Sequence, residues 1–221
     1  MKQISLIGAY IAVVALLFTS CGGNSDGRQK SQKLPVLTAN ERSLFENDAL
    51  RIVEEDGMET EGWVYNILKV HPKQSTIKNF QIEGTILSFE SVIGNTMLVS
   101  EGTSTLRTLL PYDLTTGEKI FDIEYNFSSD PGIDVDNDYQ FSFYTYEETL
   151  PTISWDEQTK SWKSPNELPE TVQNADLEKV KKEAEENLFD GFSLMAYRKV
   201  KVDLKERTAT PVDEYKWGYL E

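Results

Sequence analysis

Cysteine and histidine are nearly absent from this 221-residue chain, which has one of each, Cys21 and His71. A single cysteine cannot form an internal disulfide, so packing must stabilise the fold. A Ser/His/Asp or Cys/His arrangement would have to use His71, which stands before Pro72 in a predicted turn, so catalysis of that kind is not expected. Zinc sites built on these two residue types are not expected for the same reason.

Positive charge is also scarce. Lysine and arginine total 22 against 37 aspartate and glutamate residues, which gives a formal charge of −15. Such a surface repels nucleic acid phosphates and anionic lipid. We therefore expect no nucleic-acid partner and favour partners that are neutral, cationic or bridged by a metal. With so many acidic residues, no spacing singles out a carboxylate pair of the kind that a glycosidase uses.

One apolar stretch stands out, from Ile4 to Phe18, interrupted by Ser5 and Gly8 and preceded by Lys2. A transmembrane helix needs about 20 apolar residues, and this stretch is shorter. A positive residue, an apolar run and then small polar residues form the order typical of a secretory signal.

The letters FTSC at residues 18–21 resemble the lipobox of bacterial lipoproteins, a resemblance that covers the first 23 residues. The family favours leucine where Phe18 stands. The resemblance implies a signal peptide at residues 1–20, acyl chains such as palmitate on Cys21, and an exported protein anchored to a membrane of the cell envelope. Gly22 stands where an aspartate would imply the inner membrane, so the outer membrane is favoured.

The residues after the anchor divide into a linker and one domain. Residues 21–34 are mainly small and polar, which is typical of a flexible linker, and residues 35–221 form a single β-rich domain by length. Short β-branched and aromatic runs from Trp63 to Ser164 predict strands and hairpins. We predict a mainly β fold, an antiparallel sheet or meander, arranged as a sandwich or as a small propeller-like domain.

Two helices and one long strand are predicted within this domain. Apolar residues at helical spacing after Asn40 predict a short N-terminal helix. An amphipathic helix is predicted near 174–190, capped by Asn174, with either a core or a partner-binding role; its apolar stripe is Leu177, Val180, Ala184 and Leu188. Alternation from Leu194 to Leu204 predicts a half-buried antiparallel strand.

Four hairpin-like stretches recur around His71, Asp113, Asp156 and Asp203. Intervals of roughly 40 to 50 residues in strand-rich sequence are typical of propeller blades or repeated meanders. Residues 85–125 resemble one propeller blade, which implies four strands there, the last at residues 118–125. Whether the recurrence is a true repeat stays open, because the helix near 174–190 interrupts the fourth unit.

An acidic stretch suggests a calcium site. Asp134, Asp136 and Asp138 alternate as in the opening of a calcium loop, where carboxylate oxygens converge on one ion. Tyr139 and Thr145 depart from the EF-hand pattern, which requires Gly and Glu at those positions. The alternatives are an irregular Ca²⁺ site that uses Asp130 or Glu147 and a solvated acidic loop between strands.

Aromatic residues suggest a binding surface. Trp155 and Trp162 flank a short turn, and together with Tyr144 and Tyr146 they could present apolar faces to sugar rings or peptide side chains. The alternative is that these aromatic residues fill the core or pair across strands.

These features favour a lipid-anchored cell-envelope protein that acts as a non-catalytic binding or assembly module. The alternative is a glycan-active hydrolase that uses a carboxylate pair. As a third hypothesis, the domain docks to another envelope protein through its acidic surface or the 174–190 helix.

Overall fold

Three antiparallel sheets make up most of the computed structural model, which describes residues 33–57, 59–60, 63–164, 167–173, 176–185, 188–189 and 191–219. The mainly β, antiparallel fold predicted from the sequence is confirmed. In chain order, the elements are β1 (Glu41–Glu46), β2 (Leu50–Glu55), β3 (Glu59–Thr60), β4 (Trp63–Pro72), β5 (Phe80–Thr85), β6 (Leu87–Ile93), β7 (Thr96–Glu101), β8 (Leu106–Asp113), β9 (Asn126–Ser128), β10 (Ile133–Asn137), β11 (Gln140–Thr145), β12 (Thr152–Asp156), β13 (Ser161–Lys163), α1 (Glu170–Gln173), α2 (Leu177–Ala184), β14 (Ser193–Asp203) and β15 (Thr208–Gly218).

The sheets follow the chain in order. In the first sheet, β4 pairs with β2, β3 and β5, and β1 adds to β2. The second sheet is the meander β6-β7-β8-β9. The third has the order β10-β11-β14-β12-β13, with β15 on the other side of β14. Strand β14 reaches both β11 and β12 because it is 11 residues long and pairs with each along a different half.

The second sheet is buried on both faces. Met97 and Val99 pack with residues of the first sheet, whereas Leu98 between them packs with residues of the third. All three side chains are fully buried. The sheets are therefore stacked in layers, which is the sandwich alternative of the predicted fold.

The predicted N-terminal helix is wrong. Strands β1 and β2 occupy that segment, joined by a turn in which the Asn47 side chain accepts the Ala49 and Leu50 N–H groups. Arg42 pairs with Glu54 across the two strands. Opposite charges on directly opposed residues stabilise a strand pair, and helical spacing alone does not detect them.

The helix predicted near 174–190 is shorter in the structure. It is α2, which ends at Ala184, so Leu188 lies beyond it, and Asn174 lies outside the described residues. The side chains of Leu177, Val180 and Ala184 are buried as predicted. This face packs with β14 and β15 residues, so it serves the core and is not available to a partner.

The alternating strand is confirmed as β14. The even-numbered apolar residues between Leu194 and Leu204 are buried, while Lys201 and Lys205 are exposed. The first half of this buried face packs under the helices, and the second half packs against the second sheet.

Three of the four strands that the propeller-blade resemblance implies for residues 85–125 are present in the structure. Strands β6, β7 and β8 lie where the resemblance placed them, but residues 118–125 form only an isolated bridge, between Tyr112 and Lys119. The fourth strand of this sheet is β9 instead.

A shared turn explains the recurrence at Asp113, Asp156 and Asp203. Each carboxylate accepts the backbone N–H groups two and three residues ahead, and a residue with positive φ follows at the fourth position. Aspartate favours such turns because its side chain can satisfy local N–H groups. The stretch at His71 differs, since His71 lies in β4 and not in a turn. The recurrence of these three stretches therefore reflects one type of hairpin turn that they share.

This turn predicts a stabilising substitution. Gly117, Lys160 and Arg207 occupy its positive-φ position, where a Cβ costs about 1–2 kcal/mol. Arg207→Gly should raise the free energy of unfolding in urea by up to about 1 kcal/mol, because glycine's extra unfolded-state entropy offsets part of the gain. Arg207→Ala keeps the Cβ and is the control. Equal stability of the two variants would contradict this account.

Candidate functional site

A cleft of about 280 Å³ lies at the open edge of β15. Among the described residues, β15 pairs only with β14, so its other edge is free of strand partners. The loop at residues 128–131 forms one wall and α2 forms another, and the last residues of β15 form the floor. We call this depression the β15 cleft.

Trp217 fixes the helices to the floor of the cleft. Its side chain is 1% exposed, and its indole N–H donates to the Val172 carbonyl of α1 over 2.9 Å. The backbone N–H of Trp217 points outward from the edge of β15 and donates to the Asp176 carboxylate, 3.0 Å away. The Asp176 carboxylate therefore accepts a hydrogen bond from an edge N–H group that could otherwise pair with an additional strand.

Several polar groups of the cleft have no partner within the described residues. The hydroxyl of Thr105 is buried without a hydrogen bond. The Lys216 ammonium and the Asp130 carboxylate also line the cleft and make no hydrogen bond or ion pair with the described part of the chain. The Thr105 hydroxyl oxygen has almost no accessible surface, whereas Asp130 is exposed and Lys216 is partly exposed. The Asp130 carboxylate and the Lys216 ammonium are therefore the polar groups of the cleft that a ligand can reach.

Tyrosine rings flank these polar groups. Tyr197 packs on the backbone of Gly218, where an added Cβ would lie 3.1 Å from the ring. Burial raises the pKa of the Tyr197 phenol, which keeps the phenol protonated and able to donate a hydrogen bond at neutral pH. Tyr219, 48% exposed, lines the cleft near its end.

From Tyr219, further aromatic rings continue along the same side of the third sheet. Its ring lies 6.2 Å from that of Phe192, which contacts the rings of Phe189 and Trp162. Trp155 and Trp162 are directly opposed on β12 and β13, with ring centroids 5.6 Å apart. We call these five residues the aromatic surface.

The four aromatic residues predicted as a binding surface are separated by the structure. Trp155 and Trp162 belong to the aromatic surface. Tyr144 is buried and lies on the opposite face of the third sheet, where it is opposed to Lys199. Tyr146 does not line the β15 cleft but contacts Tyr197, which does, at a ring-centroid distance of 6.2 Å.

The acidic stretch does not form an evident metal cluster. Asp134 and Asp136 lie in the edge strand β10, and Asp138 lies in the turn that follows. The part of the chain that the structure describes contains no group of three or more potential ligands that could hold a metal ion. A calcium site at these residues stays a prediction.

A wider depression of about 580 Å³ lies between the first and second sheets. Two of its three charged lining residues are paired, since Glu54 binds both Arg42 and the Asn66 amide, and Asp56 is the one without such a pair among the described residues. It therefore has fewer free polar groups than the β15 cleft, which makes the cleft the better candidate site.

Sequence reasoning missed most of the cleft. Thr105, Asp130 and the pair Lys216 and Tyr219 come from three distant segments. No local motif marks them as one site, and the sequence suggested Asp130 only as a calcium ligand. Cys21, the predicted anchor, lies outside the described residues. None of the described helices is long and apolar enough to span a membrane.

Comparisons of this chain with family models, curated proteins and solved structures find no match. The geometry of the β15 cleft and the aromatic surface is therefore the basis on which a function can be argued.

Trp217→Phe should test how the cleft is built. The substitution leaves the buried Val172 carbonyl without its donor and opens a small cavity, so the free energy of unfolding should fall by about 1–3 kcal/mol. The matched control is Trp155→Phe, because the indole N–H of Trp155 donates to the exposed Glu157. An equal loss in the two variants in urea denaturation would contradict the proposed role of Trp217.

Proposed function

We propose that this protein is a non-catalytic binding module of the cell envelope, anchored by lipid on Cys21, that holds a carbohydrate in the β15 cleft. The observation that carries this proposal is that one cleft brings tyrosine rings beside two accessible charged groups, Asp130 and Lys216, which have no hydrogen-bond or ion-pair partner among the described residues. Sugars combine hydroxyl groups with apolar C–H faces. They therefore fit a site with a few convergent polar groups beside aromatic side chains.

Three contacts would hold the sugar. The Lys216 ammonium can bind a sugar oxygen in the cleft, and Asp130 can accept a hydroxyl hydrogen at its rim. The Tyr219 ring supplies an apolar face at the end of the cleft. Asp130 and Lys216 have no side-chain partner among the described residues, and Tyr219 is 48% exposed, so all three can contact a ligand.

The same cleft argues against the alternative of a glycan hydrolase. A glycosidase needs two carboxylates beside the scissile bond. Asp176 accepts the backbone N–H of Trp217, and Glu183 lies 3.6 Å from the Lys179 ammonium. Within the part of the chain that the structure describes, Asp130 is then the one lining carboxylate that makes no hydrogen bond or ion pair, which favours binding over hydrolysis.

Binding can be measured on the full chain in a detergent that contains no sugar. Neutral oligosaccharides of glucose, mannose, xylose and N-acetylglucosamine are titrated while tryptophan fluorescence and heat are followed. We expect saturable binding to at least one of them. Tyr219→Ala should weaken it about tenfold, because one aromatic contact contributes on the order of 1 kcal/mol.

Tyr139→Ala is the control, since Tyr139 is 46% exposed and lies in the distant turn between β10 and β11. The proposal fails if no oligosaccharide binds, or if the two variants weaken binding equally. Release of new reducing ends from the bound sugar would instead support the hydrolase.

The anchor is tested separately. Cys21→Ser removes the thiol to which the acyl chains attach, so the protein should move from the membrane fraction to the soluble fraction of the cell envelope. Two or more acyl chains are needed for stable anchoring, which makes this shift nearly complete. A variant that still requires detergent would contradict lipid anchoring at Cys21.

A further inference from the structure

The aromatic surface extends the β15 cleft beyond the space that one sugar would fill. Tyr219 belongs to both, because it lines the cleft and its ring contacts Phe192. Each ring from Tyr219 through Phe192 and Trp162 to Trp155 lies within 6.2 Å of the next. The two features are therefore one continuous surface.

Part of this surface is exposed although it is apolar. Phe189 is 63% exposed and Tyr219 is 48% exposed, and both contact the ring of Phe192. Contiguous exposed apolar side chains indicate an interaction site more often than isolated ones do. The position of these rings next to the cleft indicates that the same ligand covers both.

The surface is held in place by backbone hydrogen bonds. The N–H of Trp155 donates to the Phe192 carbonyl over 2.8 Å, and the Gly191 N–H donates to the Trp155 carbonyl over 3.1 Å. The Phe192 N–H donates to the Phe189 carbonyl over 2.9 Å. A surface fixed in this way loses little entropy when a ligand binds.

The rings do not form one flat platform. Adjacent rings are inclined steeply, with interplanar angles of 68° for Trp155 and Trp162, 67° for Trp162 and Phe192, and 87° for Phe189 and Phe192. Separate, differently inclined faces suit a ligand made of successive rigid rings, each with its own apolar face. The net charge of −15 disfavours an acidic chain.

We infer that the ligand is a neutral linear polysaccharide. One end of the bound segment occupies the β15 cleft, and the following sugar units lie on the aromatic surface. This inference rests on the proposed function and adds the ligand's chain length to it. Phe189 is then a binding residue for the longer ligand alone, whereas Tyr219 contacts short and long ligands.

Chain length provides the test. Affinities of the full chain are measured for neutral linear oligosaccharides of two and of six units, in the glucose, mannose, xylose and N-acetylglucosamine series. We expect the six-unit ligand of the preferred series to bind at least tenfold more tightly than the two-unit ligand. Phe189→Ala should remove most of this gain and leave the affinity for two units unchanged.

Tyr219→Ala should weaken binding of both lengths, and Tyr139→Ala should affect neither. Phe189 is largely exposed, so its replacement should not disturb folding, which a thermal unfolding curve checks.

Equal affinity for two and six units would overturn the chain inference and leave carbohydrate binding in the cleft intact. Absence of binding at either length would overturn both. In the Cys21→Ser protein, which lacks the proposed acyl anchor, binding to phosphatidylcholine vesicles that Phe189→Ala abolishes, without any chain-length effect, would identify the aromatic surface as a membrane contact instead.

Discussion

The burial of both faces of the second sheet is the constraint on which the rest of this structure depends. Met97 and Val99 are fully buried against the first sheet, and Leu98 is fully buried against the third. Burying a large apolar side chain contributes about 1.5–3 kcal/mol, and no internal disulfide is available as a substitute. The first and third sheets are therefore required as covers, and the loop that leads from β9 is brought beside the end of β15.

The helices α1 and α2 cover the part of the third sheet that the second sheet does not, and this arrangement creates the candidate site. The long central strand of the third sheet exceeds the width of the second sheet, so the helices shield the other half of its apolar face. Trp217 joins the helices to the edge strand through its side chain and its backbone. Where the helices, the edge strand and the loop of residues 128–131 meet, the packing is incomplete, and the β15 cleft remains.

Local sequence signals predicted the parts of the fold that depend on near neighbours. The alternation along β14, the stripe of α2 and the hairpins at Asp113, Asp156 and Asp203 all follow from residues a few positions apart. The N-terminal helix failed as a prediction because the pairing of β1 with β2 and of β2 with β4, which links distant positions, determines that segment. The cleft could not be predicted for the same reason, since its lining residues come from five separate segments. Trp155 and Trp162 were found because a short turn already brings them together.

The central claim is that a neutral glycan binds at the free edge of β15 and not elsewhere on the domain. Amide hydrogen exchange with and without saturating glycan locates such binding directly. The account predicts slower exchange in residues 128–131, in α2 and at residues 216–219, with the turn between β10 and β11 unchanged. Protection confined to that turn or to the depression between the first and second sheets, or no protection at any site, would contradict the account.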